Sequence, residues 1–164
     1  MHGLDPDSPG PSDAALARDP SFASLLAQTY RERLGKGLIP AELDPDAAAL
    51  WLYEQAPFCL LVHNTAADPR FVYANRTAQA CFEYGWDEIT LLPSRQSAGP
   101  PDRAERQNFI EAVKRDGSAT GYRGLRAARS GRQFWIEDVT MWQLVDASGA
   151  LRGQAAVYGR WTDA

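Results

Sequence analysis

Six arginines gather on what the sequence lays out as one loop, one helix start and one hairpin: Arg95, Arg103, Arg106, Arg123, Arg126 and Arg132. A guanidinium group grips carboxylates and phosphates through two parallel N–H bonds. Arg95 and Arg103, beside an expected helix N-terminus, are therefore candidates for an anion seat, because free backbone N–H groups there would add to the attraction. The same residues also suit a structural ion-pair network with Asp87, Glu88, Asp102, Glu105, Glu137 and Asp138. Exposed pairs of that kind are common, so the network is the plainer reading.

Other reactive side chains are sparse. His63 is the one histidine outside the N-terminal tail, where His2 lies. It ends an apolar run, a position that suits a surface or hydrogen-bonded ring. Cys59 and Cys81 have neither Cys-x-x-Cys spacing nor histidines at metal-ligand spacing, and both lie in apolar stretches where a thiol packs as a small hydrophobe. Nucleophile-elbow and phosphate-loop patterns are absent, and Gly149 to Gly153 reads as a turn. Nothing here assembles a catalytic centre or a metal site, so the expectation is a protein that is not an enzyme.

Composition narrows the class further. The 164 residues suit one domain with a substantial core, and the net charge of -4 lacks the basic surplus of a nucleic-acid binder. No run approaches a bilayer span and no basic-then-apolar leader opens the chain, which points to the cytoplasm.

The elements that must position these residues follow from local signals. Residues 1–18, rich in Pro, Asp, Gly and Ser, read as a mobile tail. Asp19-Pro20 and Asp44-Pro45 are helix starts, each a cap residue followed by Pro at the first helical position. The first helix carries Phe22, Leu25, Leu26, Tyr30 and Leu34 and ends at Gly35; the second carries Leu50, Trp51 and Tyr53 and ends at Pro57. Residues 19–56 thus form a helical extension before the main domain, 57–162.

That domain opens with a hairpin, strands at 58–63 and 71–74 around the turn NTAADP. Asn75 then caps a helix through Ala78, Cys81 and Phe82, a role that Asp would serve as well. A short helix at 87–91, a loop at 92–101 and a helix opened by an Asp102/Glu105 capping box follow. Strands at about 119–128, 132–145 and 150–161 complete the chain. The middle one changes parity between Ile136 and Val139, which requires a bulge near Glu137-Asp138.

The order strand, strand, short helices, longer helix, three strands resembles a PAS domain. VYANRTAQACFEYGWDEI is similar to its signature, in which Asn ends the second strand and caps a helix walling a cavity. LPSRQSA, DRAER, YRGLR, SGRQFWIE and WQLVDASGALRGQAAVYGRW narrow this to the PAS-related MEKHLA family, standalone bacterial type, over about residues 25–161. Gly99 and Ala128 depart from its pattern, where an acidic residue and Ser are expected.

The resemblance implies an α+β fold: a PAS-like five-stranded antiparallel sheet, short helices on one side and two N-terminal helices. It implies a sensory module that binds an unidentified small molecule and signals to an output protein, with a homodimer among its forms. The alternatives are a ligand-free dimerisation or interaction module and, further off, an enzyme acting on a small anion. Aligned on Trp86-Asp87-Glu88, Ser94 stands about where flavin photosensors carry their reactive Cys, so no thiol is available for a flavin adduct, while a noncovalent flavin or another planar ligand stays open. Haem-binding relatives take their axial His from a helix, which disfavours His63. The family has no settled cofactor. The expected ligand-binding residues are Tyr73, Asn75, Trp86, Arg95, Arg103, Tyr122, Trp142 and Gln154, with Gln154 orienting a polar ligand group. Neither membrane nor direct nucleic-acid contact is implied.

Overall fold

The structure, a computed structural model, describes residues 16–97 and 103–164, with the Arg103 side chain outside the described set. Most of the expected tail, Gly99, and the Asp102 half of the capping box lie outside the described residues.

Both helix starts form as their sequences dictate. In α1 (Pro20–Leu34) Asp19 accepts from Ser21 N at 3.0 Å, and Gly35 closes the helix at φ 71° with its N–H on Arg31 O. In α2 (Pro45–Leu50) Asp44 accepts from Ala47 N at 2.8 Å, and the helix widens into one π-type turn, Trp51–Gln55, before Pro57. Strands β1 (Cys59–His63) and β2 (Phe71–Ala74) make the expected hairpin. Its turn is tied by Asn64, whose side chain accepts from Ala66 N and Arg70 N. Then come α3 (Arg76–Phe82), α4 (Trp86–Ile89), a 3₁₀ turn at Ser94–Ser97 and α5 (Arg103–Asp116). The meander is β3 (Ser118–Ala127), β4 (Gln133–Val145), β5 (Leu151–Tyr158) and β6 (Arg160–Asp163).

The sheet runs β2-β1-β5-β4-β3, antiparallel throughout. The single last strand expected at 150–161 is instead two, interrupted at Gly159. Both halves pair with β4 in one register, Thr140 opposite Val157 and Glu137 opposite Arg160. The bulge is where parity required it: Gly124 faces Ile136 but Tyr122 faces Val139, and Asp138 takes φ 54°. A counter-bulge at Thr120-Gly121 restores the pairing by Ala119 and Met141. The pair of bulges turns Tyr122, Ile136 and Val139 to the same face.

Both faces are covered, which is why every residue of β1 is buried. One face packs Leu61, Tyr122, Phe134, Ile136, Val139 and Met141 against α3, α4 and α5. The other packs Leu60, Val62, Tyr73, Trp142 and Leu144 against α1 and α2. Leu26 is fully buried there, Trp142 donates its indole N–H to Thr29 Oγ1 at 2.9 Å, and Tyr30 meets the Trp142 ring edge-on at 4.8 Å. The N-terminal helices therefore complete the core, although Leu50, read as part of their apolar face, is exposed.

Candidate ligand cavity

Between the sheet and the α3–α5 layer lies a cavity of about 50 Å³. Its apolar lining includes Leu61, Phe71, Phe82, Ile136, Val139 and Met141. Its polar lining comes from three places: His63 and Gln154 on paired strands, Ser94, Ser97 and Arg106 on the helical side, and Tyr122 and Arg126 on β3. The 3₁₀ turn is fixed to the hairpin, with Ser94 N on Pro69 O at 2.8 Å, Phe71 N on Leu92 O and an Arg70–Pro93 bridge. Ser97 donates to Ser94 O at 2.7 Å, and Arg106 donates to Ser94 Oγ at 2.9 Å. Arg126, nearly buried, donates to Leu125 O and lies over the Tyr122 ring.

His63 and Gln154 sit directly opposite each other on β1 and β5. The strands approach closely there because residue 153 is glycine: a Cβ would fall 2.6 Å from His63 O. His63 Nδ1 lies 3.0 Å from Asn64 O, and since a carbonyl only accepts, Nδ1 carries the hydrogen. Burial, then the nearby Arg106 and Lys114 charges, push the ring pKa down against the pull of Asn64 and Gln154. A neutral ring protonated at Nδ1 presents a lone pair at Nε2. Among the described residues, neither His63 Nε2 nor Gln154 Nε2 has a hydrogen-bond partner, although both are buried. Orphaned buried polar atoms are costly and rare; a third, Tyr73 Oη, lies in the core on the opposite face, and His63 and Gln154 are the two that border the cavity. Both residues also border an outer groove with Asn64, Lys114 and Gln143, so the pair separates interior from surface.

The residues expected from sequence divide sharply. Tyr122 and Gln154 line the cavity. Tyr73 and Trp142 lie on the opposite face of the sheet, with Trp86 packed against the Tyr73 and Tyr53 rings. Asn75 is fully buried, and all of its hydrogen-bonding capacity is spent on backbone. Its Oδ1 accepts from Ala78 N and Leu60 N, both at 3.1 Å, while its Nδ2 donates to Leu52 O and Phe58 O. It is a cap and also a clamp joining α2, β1 and α3. Arg95 is exposed and pairs with Asp68 at 3.0 Å. Arg103 opens α5. The other arginines disperse: Arg129 pairs with Glu88, Arg132 with Glu83 and Asp163, and Arg123 stacks over Trp135 at 4.0 Å.

Sequence reasoning reads His63 as a surface or hydrogen-bonded ring, and it is buried and hydrogen-bonded; Ser97, Arg106 and Arg126 are not singled out for the cavity. The available signals were Ser94 and Ser97 within LPSRQSA, and the parity Arg126 shares with Gly124 on β3.

A two-sided antiparallel sheet in the order 2-1-5-4-3, with short helices over a cavity on one face, defines a PAS-type fold. Solved structures agree. A PAS domain of a protein from Colwellia psychrerythraea superposes with a TM-score of 0.55 at 16% identity, over 66% of this chain and 87% of that one. A light-oxygen-voltage domain studied with a flavin analogue gives 0.54 at 18%, over 65% and 76%. An RNA-binding light-oxygen-voltage receptor gives 0.59 at 21%, over 78% of this chain but 35% of that one. The MEKHLA domain model matches residues 20–163, and the chain belongs to the MEKHLA domain family. No curated protein matches it. Among the described residues there is no helix long and apolar enough to cross a membrane, and no cluster of three or more potential metal ligands.

Proposed function

We propose that the chain is a PAS-like sensory module whose ligand is small and polar, held in the cavity between sheet and helices by His63 and Gln154. The single observation that carries this reading is the orphaned, buried pair of His63 Nε2 and Gln154 Nε2. One is an acceptor and the other a donor, so the complementary ligand offers a donor and an acceptor side by side, as a primary amide, a urea or a protonated carboxylic acid does. Arg106, Arg126, Ser94 and Ser97 add polarity around it, and the apolar lining sets its size.

Volume separates this ligand from larger cofactors. Drug-sized and cofactor-sized ligands need roughly 300–1,000 Å³, whereas one water needs about 10–15 Å³. The 50 Å³ cavity suits a handful of heavy atoms, not a flavin or a haem. Ser94 lines this cavity, and aligned on Trp86-Asp87-Glu88 it stands about where flavin photosensors carry their reactive Cys; a serine forms no flavin–thiol adduct. Output passes by protein contact, through the sheet or the N-terminal helices.

A thermal-shift panel of small amides, ureas and carboxylic acids against wild type, His63→Phe and Gln154→Leu tests the reading. Stabilisation of wild type that both variants lose supports it. A folded wild type stabilised by none of these compounds favours the second reading, a ligand-free interaction module whose helices α1 and α2 serve partner contacts.

A further inference from the structure

The outer groove that shares His63 and Gln154 with the cavity has chemistry of its own. Its volume is about 270 Å³, against about 50 Å³ for the cavity. Strand register builds its floor. Leu61, Ala156 and Met141 stand opposite one another on β1, β5 and β4, and all three line the cavity. Two residues further along each strand the register sets His63 opposite Gln154 and Gln154 opposite Gln143. Side chains two apart on a strand share a face, so the apolar row gives way to a polar row on the same side of the sheet. That polar row lines the groove.

The walls supply a charge. Asn64, Thr65 and Pro69 of the hairpin turn stand on one side, and Lys114 of α5 on the other. The end of α5 is tied to this part of the sheet: Gly117 N donates to Val113 O at 2.7 Å, and Gly117 O accepts from Gln143 N at 3.0 Å. Among the described residues lining the groove none is acidic, and Lys114 is the one cation. Arg106, eight residues earlier on the same helix, lines the cavity instead, about 12 Å back along the axis. One helix thus sets a guanidinium at the cavity and an ammonium at the groove, and the His63–Gln154 pair borders both.

We propose that the groove is the carboxylate end of the ligand site, and that the ligand is a short amido or ureido acid. This rests on the pairing of a polar head with His63 Nε2 and Gln154 Nε2, and extends it. The neutral amide or urea head meets that pair, and the carboxylate meets the Lys114 ammonium, with the Gln143 side-chain amide donating to it. The cavity has room for the head and the groove for the tail. A dicarboxylate is ionised at both ends near neutral pH and offers His63 Nε2 no hydrogen, so the site selects amide and urea heads.

Titration of the isotope-labelled chain with matched probes, followed by amide chemical shifts, tests this. Succinamate is compared with butyramide, which carries a methyl in place of the carboxylate, and ureidoacetate with ethylurea. In wild type each acid should bind about tenfold tighter than its neutral partner, the gain of one charge-assisted hydrogen bond, and added salt should narrow the gap. Lys114 is exposed, so its replacement leaves the core intact. Lys114→Met should bring each acid to the affinity of its neutral partner, and Lys114→Arg should keep the preference. Equal binding within each pair, or a preference that survives Lys114→Met, would overturn the extension and leave the head site standing. If neither member of either pair binds, the His63–Gln154 reading fails and the extension fails with it.

Discussion

Asn75 gives the sharpest quantitative consequence of the structure. A helix cap alone is worth about 1 kcal/mol when replaced by Ala, and Asp substitutes freely for Asn in that role. The side chain here does more, since it satisfies the N–H groups of Leu60 and Ala78 and the carbonyls of Leu52 and Phe58, all within 3.1 Å. Asn75→Ala orphans three backbone groups beyond the cap, at about 1 kcal/mol or more each, so the expected loss is about 4 kcal/mol. Against a typical domain stability of about 5–15 kcal/mol, that is a large fraction.

Asn75→Asp is the discriminating variant. It keeps the acceptor but turns a carboxylate oxygen toward two carbonyls in a fully buried site, and should cost at least about 2 kcal/mol near neutral pH. Burial and those carbonyls favour the protonated carboxyl, so its folded pKa lies above the unfolded value of about 3.9. The folded form then binds the extra proton. Relative to wild type, the Asp variant should therefore be best off below the unfolded pKa and lose ground as pH rises through the folded one. Urea denaturation at a series of pH values measures both effects. An Asp variant that tracks wild type within about 0.5 kcal/mol at pH 7 would refute the clamp and leave only the cap.

Three further outcomes are expected. His63 has a lowered folded pKa, so between that value and the unfolded value of about 6.5 the unfolded chain binds the extra proton and stability rises with pH; His63→Gln should flatten that part of the profile in the same denaturation series. Deleting residues 1–56 uncovers Leu60, Val62, Tyr73, Trp142 and Leu144, and the truncated chain should self-associate or precipitate; sedimentation showing an unchanged, stable particle would contradict this. Arg95→Ala breaks an exposed pair, so its melting temperature should stay near that of wild type, and the small effect should be non-additive with Asp68→Ala.

The fold was largely legible because its signals are local. Asp19-Pro20, Asp44-Pro45 and Asn75 cap the helices they announced, and the parity change after Ile136 located the bulge at Asp138. The break at Gly159 was not legible, since a glycine inside a strand-like run fits a continuous strand as well as a split one. The cavity was harder for a different reason. Aromatic identity does not say which face of a two-sided sheet a residue occupies, so Tyr73 and Trp142 were grouped with Tyr122 and Gln154, though they lie on opposite faces. His63 was undervalued because its meaning depends on facing Gln154 across β1 and β5, ninety-one residues apart in sequence. Charge clustering along the chain suggested one arginine site, but the fold sends Arg95 outward and Arg106 and Arg126 inward.

His63 Nε2 and Gln154 Nε2 are the proposed seat of a small polar ligand, and the ring nitrogens of His63 report on it directly. Long-range ¹H–¹⁵N spectra of imidazole-labelled protein at neutral pH distinguish a protonated nitrogen from one bearing a lone pair. The expected result is a neutral ring with hydrogen on Nδ1, and a Nε2 resonance that moves toward the hydrogen-bonded range when the stabilising amide or acid is added. Gln154→Leu should weaken that response. A His63 ring protonated on Nε2 in the free protein, or a Nε2 signal unmoved by a compound that binds, would contradict it.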